Sequence, residues 1–170
     1  MGTGFQSSEA AVDAGSAFLT EEQVMVRDAA RRVARDVIEK TAALRDRTKA
    51  WPHQELATLA GLGFMGMLLP EDYGGSNMSF MSYCLALEEI SAADCGLGTI
   101  VHVHNMSHYP IARFGTAAQK QQFLPPAARG EKIGAWLLTE PHAGSDTAAI
   151  RTSARREGDS FILNGTKQFI

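Results

Sequence analysis

Two Thr-x-x-Gln boxes, Thr20 to Gln23 and Thr116 to Gln119, bracket a long run of helical spacing that stops near Gly130. A chain patterned this way must build a helical unit first and an extended one after it. In each box the Thr hydroxyl accepts from the backbone three residues on while the Gln reaches back, so each predicts a helix start. Leu19 and Val24 stand at the staple positions around the first box. Val26, Ala30, Val33 and Val37 continue it at helical intervals, with Arg27, Arg31, Arg32 and Arg35 between them. Asp28, Asp36 and Glu39 share that stretch, so the arginines read as a solvated face rather than a nucleic-acid surface.

Pro52 marks a second helix start, Leu56, Leu59 and Ala60 its apolar side, and Gly61 and Gly63 its end. Phe64 to Leu69 is an apolar connector, and Pro70 to Gly75 a turn. Ser79 is the expected cap of a third helix striped by Tyr83, Leu87 and Ile90. A fourth, from about Leu97 to Phe114, turns Ile100, Val103, Ile111 and Phe114 inward and is kinked or split at Pro110. The short helix opened by Thr116 is stopped by Pro125-Pro126. Beyond Gly130, Ile133 to Thr139 predicts a strand. Ile150 to Arg156 and Ser160 to Leu163 predict a hairpin around Glu157-Gly158-Asp159, and Thr166 opens a further strand.

The expected fold class is mainly α: a helical-bundle domain followed by the first strands of a β-barrel-like domain. The expected divisions are a disordered lead-in over 1–18, a helical domain over 19–130 and an incomplete β domain over 131–170. The sequence stops two residues into an apolar run after Lys167. Its 170 residues are 45% hydrophobic with a formal charge of -3, which supports a sizeable core and argues against nucleic acid and anionic membrane as partners. No apolar run reaches bilayer length, and 1–18 carry no Lys or Arg, so a membrane span, a secretory signal and an Arg-rich transit peptide are not expected. Cys84 and Cys95 form no CxxC pair and read as free, partly buried thiols of a reducing cytoplasm.

Candidate chemistry concentrates in Leu138-Thr139-Glu140-Pro141-His142-Ala143-Gly144-Ser145-Asp146. Short hydroxyls, a turn Pro and small residues suit backbone and side-chain donors gripping a polar ligand, with Asp146 as a local anchor; an unliganded surface turn is the plainer alternative. His102, His104 and His108 are the metal suspects, with His104 and His108 four apart on one helix face, but no carboxylate or thiolate third ligand stands nearby, so packing is favoured over a metal, and no metal ligand is assigned. Glu88 and Glu89 point about 100° apart on a helix and cannot serve as an acid–base pair; one is expected in solvent and one in a local ion pair. Serines lack a GxSxG elbow, and phosphate-binding Gly fingerprints are absent.

In order, these pieces resemble the acyl-CoA dehydrogenase family of flavoenzymes. The resemblance runs from about Leu19 to Ile170. It rests on Leu69-Pro70-Glu71-Asp72-Tyr73-Gly74-Gly75, Glu88-Glu89-Ile90, Phe114-Gly115-Thr116 with Gln119-Lys120, Leu124-Pro125, the TEP-x-AGSD stretch and Asn164-Gly165-Thr166-Lys167. It implies a helical domain, a middle β domain and a C-terminal helical domain. FAD lies in the cleft between the last two, in a homo-oligomer reoxidised by an electron-transfer flavoprotein. The implied reaction is α,β-dehydrogenation of an acyl-CoA thioester. By position, Trp136, Leu137, Leu138 and Thr139 would run beside the flavin, with the Thr139 hydroxyl on its pyrimidine side. Gly144 and Ser145 would meet the FAD pyrophosphate, and Ser145 also the CoA pantetheine. Phe169 stands where the family often has Trp against the flavin, and Ile170 follows. His142 departs from the usual Gly and would be strained at positive φ. The family's catalytic Glu lies beyond Ile170, so no residue is named as the base, and the 170-residue chain alone is not expected to turn over acyl-CoA. An acyl-CoA oxidase, a flavin monooxygenase of the same fold, and a non-catalytic helical binding fragment are the alternatives.

Overall fold

The computed structural model describes residues 18–170; the lead-in expected over 1–18 lies, Phe18 apart, outside them. Helix α1 (Glu21–Val33) starts at the Thr20 capping box, where the Gln23 amide donates to Thr20 Oγ1 (3.2 Å) and Thr20 N to Gln23 Oε1 (3.0 Å). It continues through a π stretch (Ala34–Ile38) into α2 (Glu39–Thr48). α3 (His53–Gly61) starts behind Pro52. α4 (Phe80–Ala93) is capped by Ser79, and α5 (Cys95–Phe114) by Asp94, whose Oδ1 accepts from Leu97 N at 3.0 Å. α6 (Ala117–Ala128) opens at the Thr116 capping box.

α4 packs between α1 and α5, and α5 against α6. The main core gathers Ala30, Val33, Ile38, Leu56, Leu59, Tyr83, Ala86, Ile90, Leu97 and Val101 around the connector residues Phe64, Met65 and Met67. A second cluster joins Leu69, Ala112, Leu124, Ala127 and Ala128. The connector is buried because the Pro70–Gly75 turn folds 76–78 back onto it: Ser76 N donates to Gly66 O (2.9 Å), Asn77 N to Leu69 O (2.9 Å) and Met78 N to Met67 O (2.7 Å). This satisfies carbonyls that no helix pairs.

Several expectations are corrected. α5 runs through Pro110 unsplit, because residues buried on both sides of it hold the helix against its neighbours. Its buried stripe is Leu97, Val101, His104, Asn105, His108 and Ala112, and Phe114 is 85% exposed. Three polar residues on that stripe have backbone partners, which is what allows them inside. Pro125 and Pro126 do not stop α6. Their carbonyls accept from Arg129 N (3.2 Å) and Glu131 N (2.9 Å) and so extend the turn to Ala128. Cys84 and Cys95 are free, but exposed rather than partly buried.

The hairpin is present as β1 (Ser153–Glu157) and β2 (Ser160–Asn164), antiparallel with Glu157 opposite Ser160 and Gly158 at φ 59°. Ile133 to Thr139 and Thr166 onward form no strands, since neither finds a ladder partner among the described residues.

Candidate functional site

The turn after Thr139 is closed by one isolated antiparallel bridge. Glu140 N donates to Ala143 O (2.8 Å) and Ala143 N to Glu140 O (3.1 Å), leaving Pro141 and His142 at the tip. Thr139 and Gly144 therefore leave opposite sides of one tight turn. His142 takes no left-handed φ, so the expected strain is absent. Its Nε2 instead lies 3.3 Å from Glu140 Oε2.

Glu140 is the hub beneath this turn. It is buried, and its carboxylate accepts from Arg151 N (2.8 Å), Thr152 N (2.9 Å), the Thr152 hydroxyl and Lys167 Nζ (3.0 Å). The Thr152 hydroxyl above all, then the Arg151 amide, hold its carboxyl well below the usual carboxylate range against the opposing effect of burial. Lys167 Nζ also donates to Leu138 O (2.9 Å), and Gln168 N to Thr139 O (2.9 Å). The Asn-Gly turn reaches this point because Gly165 lacks a Cβ, which would lie 2.1 Å from Thr152 Oγ1. Thus the Asn164–Lys167 motif and the Thr139–Asp146 motif are two sides of one clamp. Asp146, expected to anchor the loop through its side chain, makes no cap with it.

Above the clamp the loop is open. Among the described residues the Thr139 and Ser145 hydroxyls have no hydrogen-bond partner, and a Cβ on Gly144 would meet nothing within 4 Å. Leu138 and Thr139 are half-buried; Trp136, Leu137, Gly144, Ser145, Phe169 and Ile170 are exposed, Phe169 at φ 58°.

The segment leading into the loop is held by α5. Gly134 N donates to His104 Nδ1 (3.1 Å), while His104 Nε2 faces Ala127 O on α6 (3.2 Å). Only the neutral Nε2–H tautomer serves both. Burial first, then the neighbouring His108, push its pKa down to about 4. A Cβ on Gly134 would lie 2.1 Å from Ser107 Oγ, so the backbone passes α5 at glycine distance. His102 points elsewhere, its Nδ1 2.7 Å from the Tyr83 hydroxyl, which burial pushes up to about 12. The three histidines do not converge, and among the described residues no group of three His, Cys, Asp or Glu gathers for a metal. Glu88 is exposed, whereas Glu89 pairs with Arg31 of α1 at 2.7 Å, across helices rather than locally.

Beside Trp136 lies a cleft of about 180 Å³ between α4 and α5, walled by Leu68, Phe80, Tyr83, His102, Met106, Tyr109, Pro110 and Trp136. Its exposed wall is wholly apolar.

Thr139, Gly144 and Ser145, singled out by residue type, lie on the open side of the loop, whereas its support by Glu140, Lys167 and Thr152 is not visible in the sequence. Glu140 and Lys167 lie 27 residues apart. The only signal was the recurrence of an acid in one motif and a base in the other.

Residues 20–131 match the family model described as "Acyl-CoA dehydrogenase, N-terminal domain". The chain is 40% identical over 153 residues to an acyl-CoA dehydrogenase of Bacillus subtilis, covering 89% of this chain and 40% of that protein. It is 41% identical over 153 residues to the mitochondrial short-chain specific acyl-CoA dehydrogenase of Mus musculus, covering 89% and 37%. A glutaryl-CoA dehydrogenase structure from Mycobacterium smegmatis in complex with FADH2 superposes with a TM-score of 0.85 at 33% identity, covering 91% of this chain and 40% of that one. The chain thus spans about 40% of the length of the curated relatives it matches.

Proposed function

The chain belongs to the acyl-CoA dehydrogenase family, and on that premise we propose that it supplies the helical wall and the flavin-facing loop of an FAD-dependent acyl-CoA dehydrogenase. The observation that carries this reading is the clamped loop with an open face. Glu140 and Lys167 hold it from within, while the Thr139 and Ser145 hydroxyls and the bare Gly144 backbone are left free. Domain limits near 19–130 and 131–170 fit this division.

These donors fit a flavin dinucleotide. Thr139 Oγ1 would donate to the ring's pyrimidine side, where negative charge grows on reduction. Gly144 and Ser145 would serve the pyrophosphate, Ser145 also the pantetheine arm, and the exposed side chains of Trp136, Leu137, Phe169 and Ile170 would cover apolar ring surface. When bound, FAD supplies an acceptor for the hydride that leaves the substrate's β-carbon. The cleft beside Trp136 receives the acyl tail and keeps water from it. The base that takes the α-proton is not assigned to any residue here. Electron-transfer flavoprotein as reoxidant and assembly as a homo-oligomer complete the reading, and the unpaired thiols fit a reducing compartment.

The test is saturated acyl-CoA oxidation with an artificial electron acceptor by the flavin-loaded protein carrying this segment, with Thr139→Ala and Thr139→Ser compared. Turnover that falls about five- to tenfold in the Ala variant and recovers in the Ser variant supports the reading. Unchanged flavin content and reduction rate in Thr139→Ala contradict it.

A further inference from the structure

The reading above gives no task to His104, the fully buried imidazole of α5. Its two ring nitrogens meet two different segments, Nε2 facing Ala127 O on α6 (3.2 Å) and Nδ1 accepting from Gly134 N (3.1 Å). Ser107 Oγ and His108 Nδ1 both donate to the His104 carbonyl, at 2.9 and 2.8 Å, so all three residues share one face of the helix. Gly134 sits against that face. A Cβ on it would lie 2.1 Å from Ser107 Oγ and 2.5 Å from His108 Cε1. Its φ is not left-handed, so closeness alone demands glycine here.

Little else holds the same stretch. Among the described residues, 133–137 make one hydrogen bond to another element, Gly134 N to His104 Nδ1. The next tie is at Leu138, whose carbonyl accepts from Lys167 Nζ (2.9 Å). Trp136 and Leu137 lie between these two pins. The span from Gly134 to Leu138 reaches at most about 14 Å even when fully extended. Releasing the α5 end therefore moves Trp136.

We propose that His104 is a positioning residue for the flavin-facing segment: its neutral imidazole pins Gly134 to α5 and so sets where Trp136 and Leu137 stand against the flavin ring. This rests on the flavin reading above. It also brings α6 into the site, because the Ala127 carbonyl keeps the proton on Nε2 and leaves the Nδ1 lone pair for Gly134.

Two substitutions separate the two bonds. His104→Asn puts an amide oxygen where Nδ1 stands, so it accepts from Gly134 N but does not reach Ala127. His104→Gln puts its amide where Nε2 stands, so it donates to Ala127 O and leaves Gly134 N without an acceptor. Gly134→Ala breaks the seat from the other side. The experiment uses the flavin-loaded protein carrying this segment and follows flavin reduction by saturated acyl-CoA, Gly134 amide exchange and denaturant stability. We expect the reduction rate to fall about tenfold in His104→Gln and Gly134→Ala and to stay within about threefold in His104→Asn. Gly134 exchange should quicken roughly tenfold or more in His104→Gln alone of the two His104 variants. Stability should not follow that order, since the Asn variant loses the Ala127 bond and keeps the rate. Asn and Gln variants slowed alike, or Gly134 exchange unchanged in His104→Gln, overturns the positioning role and leaves the flavin reading standing. Absence of flavin reduction in the unaltered protein overturns the flavin reading, and the positioning role with it.

Discussion

Lys167 Nζ lies 3.0 Å from Glu140 Oε1 and 2.9 Å from the carbonyl of Leu138, so one ammonium ties the chain after the hairpin to the loop before it. The side chain is 17% exposed and Glu140 2%. Removing the cation leaves a buried carboxylate with backbone and hydroxyl donors alone and frees the Leu138 carbonyl. Lys167→Met is therefore expected to open the clamp locally. Amide hydrogen exchange at Arg151, Thr152 and Gln168 should quicken roughly tenfold or more, with α1 to α4 unaffected. Lys167→Arg should recover part of the protection. Uniform exchange across the chain in Lys167→Met would show that the pair does not hold the loop.

Arg45 performs a comparable task in the helical unit. Its guanidinium meets Glu55 of α3 and Asp94 at the α5 cap (2.5 Å), and its side chain is 10% exposed. Burial acts to raise both carboxyl pKa values, but is outweighed: at Glu55 by Thr41, its own amide and Arg45, at Asp94 by Arg45 and the Leu97 amide. Arg45→Met strands two carboxylates and is expected to cost about 3 kcal/mol in denaturant unfolding. A loss below about 1 kcal/mol would place the pair among weak surface contacts.

His104 sets a pH dependence. Its pKa falls from 6.5 to about 4 on folding, so between these values the unfolded chain binds more protons. The contribution is fully present above the unfolded pKa and is lost as pH falls toward the folded one. The facing groups are His108, the backbone of Ala127 and Met65, and Gly134 N, and none of them meets an imidazolium with opposite charge. From about pH 7 to about pH 5 this residue should remove about 2 kcal/mol of stability. Chemical unfolding at the two pH values, compared with His104→Gln, reads it directly; equal pH slopes in the two proteins would contradict the assignment.

What was legible in the sequence follows from the range of the interactions. The Thr20 and Thr116 boxes, the Ser79 cap and the Gly158 turn are closed by residues a few positions apart, and all stand where expected. The inward face of α5 is hidden in the sequence because His104 and Asn105 look polar until their partners from 64, 127 and 134 are in place, while His108 turns its Nδ1 back to His104 O on the same helix. Pro125 and Pro126 look like a stop in the sequence because their use as acceptors depends on the turn that follows. The loop's exposed donors could be read from residue type alone. Its support by Glu140, Thr152 and Lys167 could not, because burial of a carboxylate is decided by chain that arrives later.

The most direct test of a flavin-facing loop beside an acyl cleft is anaerobic titration of the flavin-loaded protein with saturated acyl-CoA, following the flavin's visible absorbance. Bleaching by a saturated acyl-CoA in the absence of any other reductant, with the corresponding 2,3-enoyl-CoA formed in equal amount, is the predicted result. Flavin that remains bound and fully oxidised in the presence of every saturated acyl-CoA tried would contradict it.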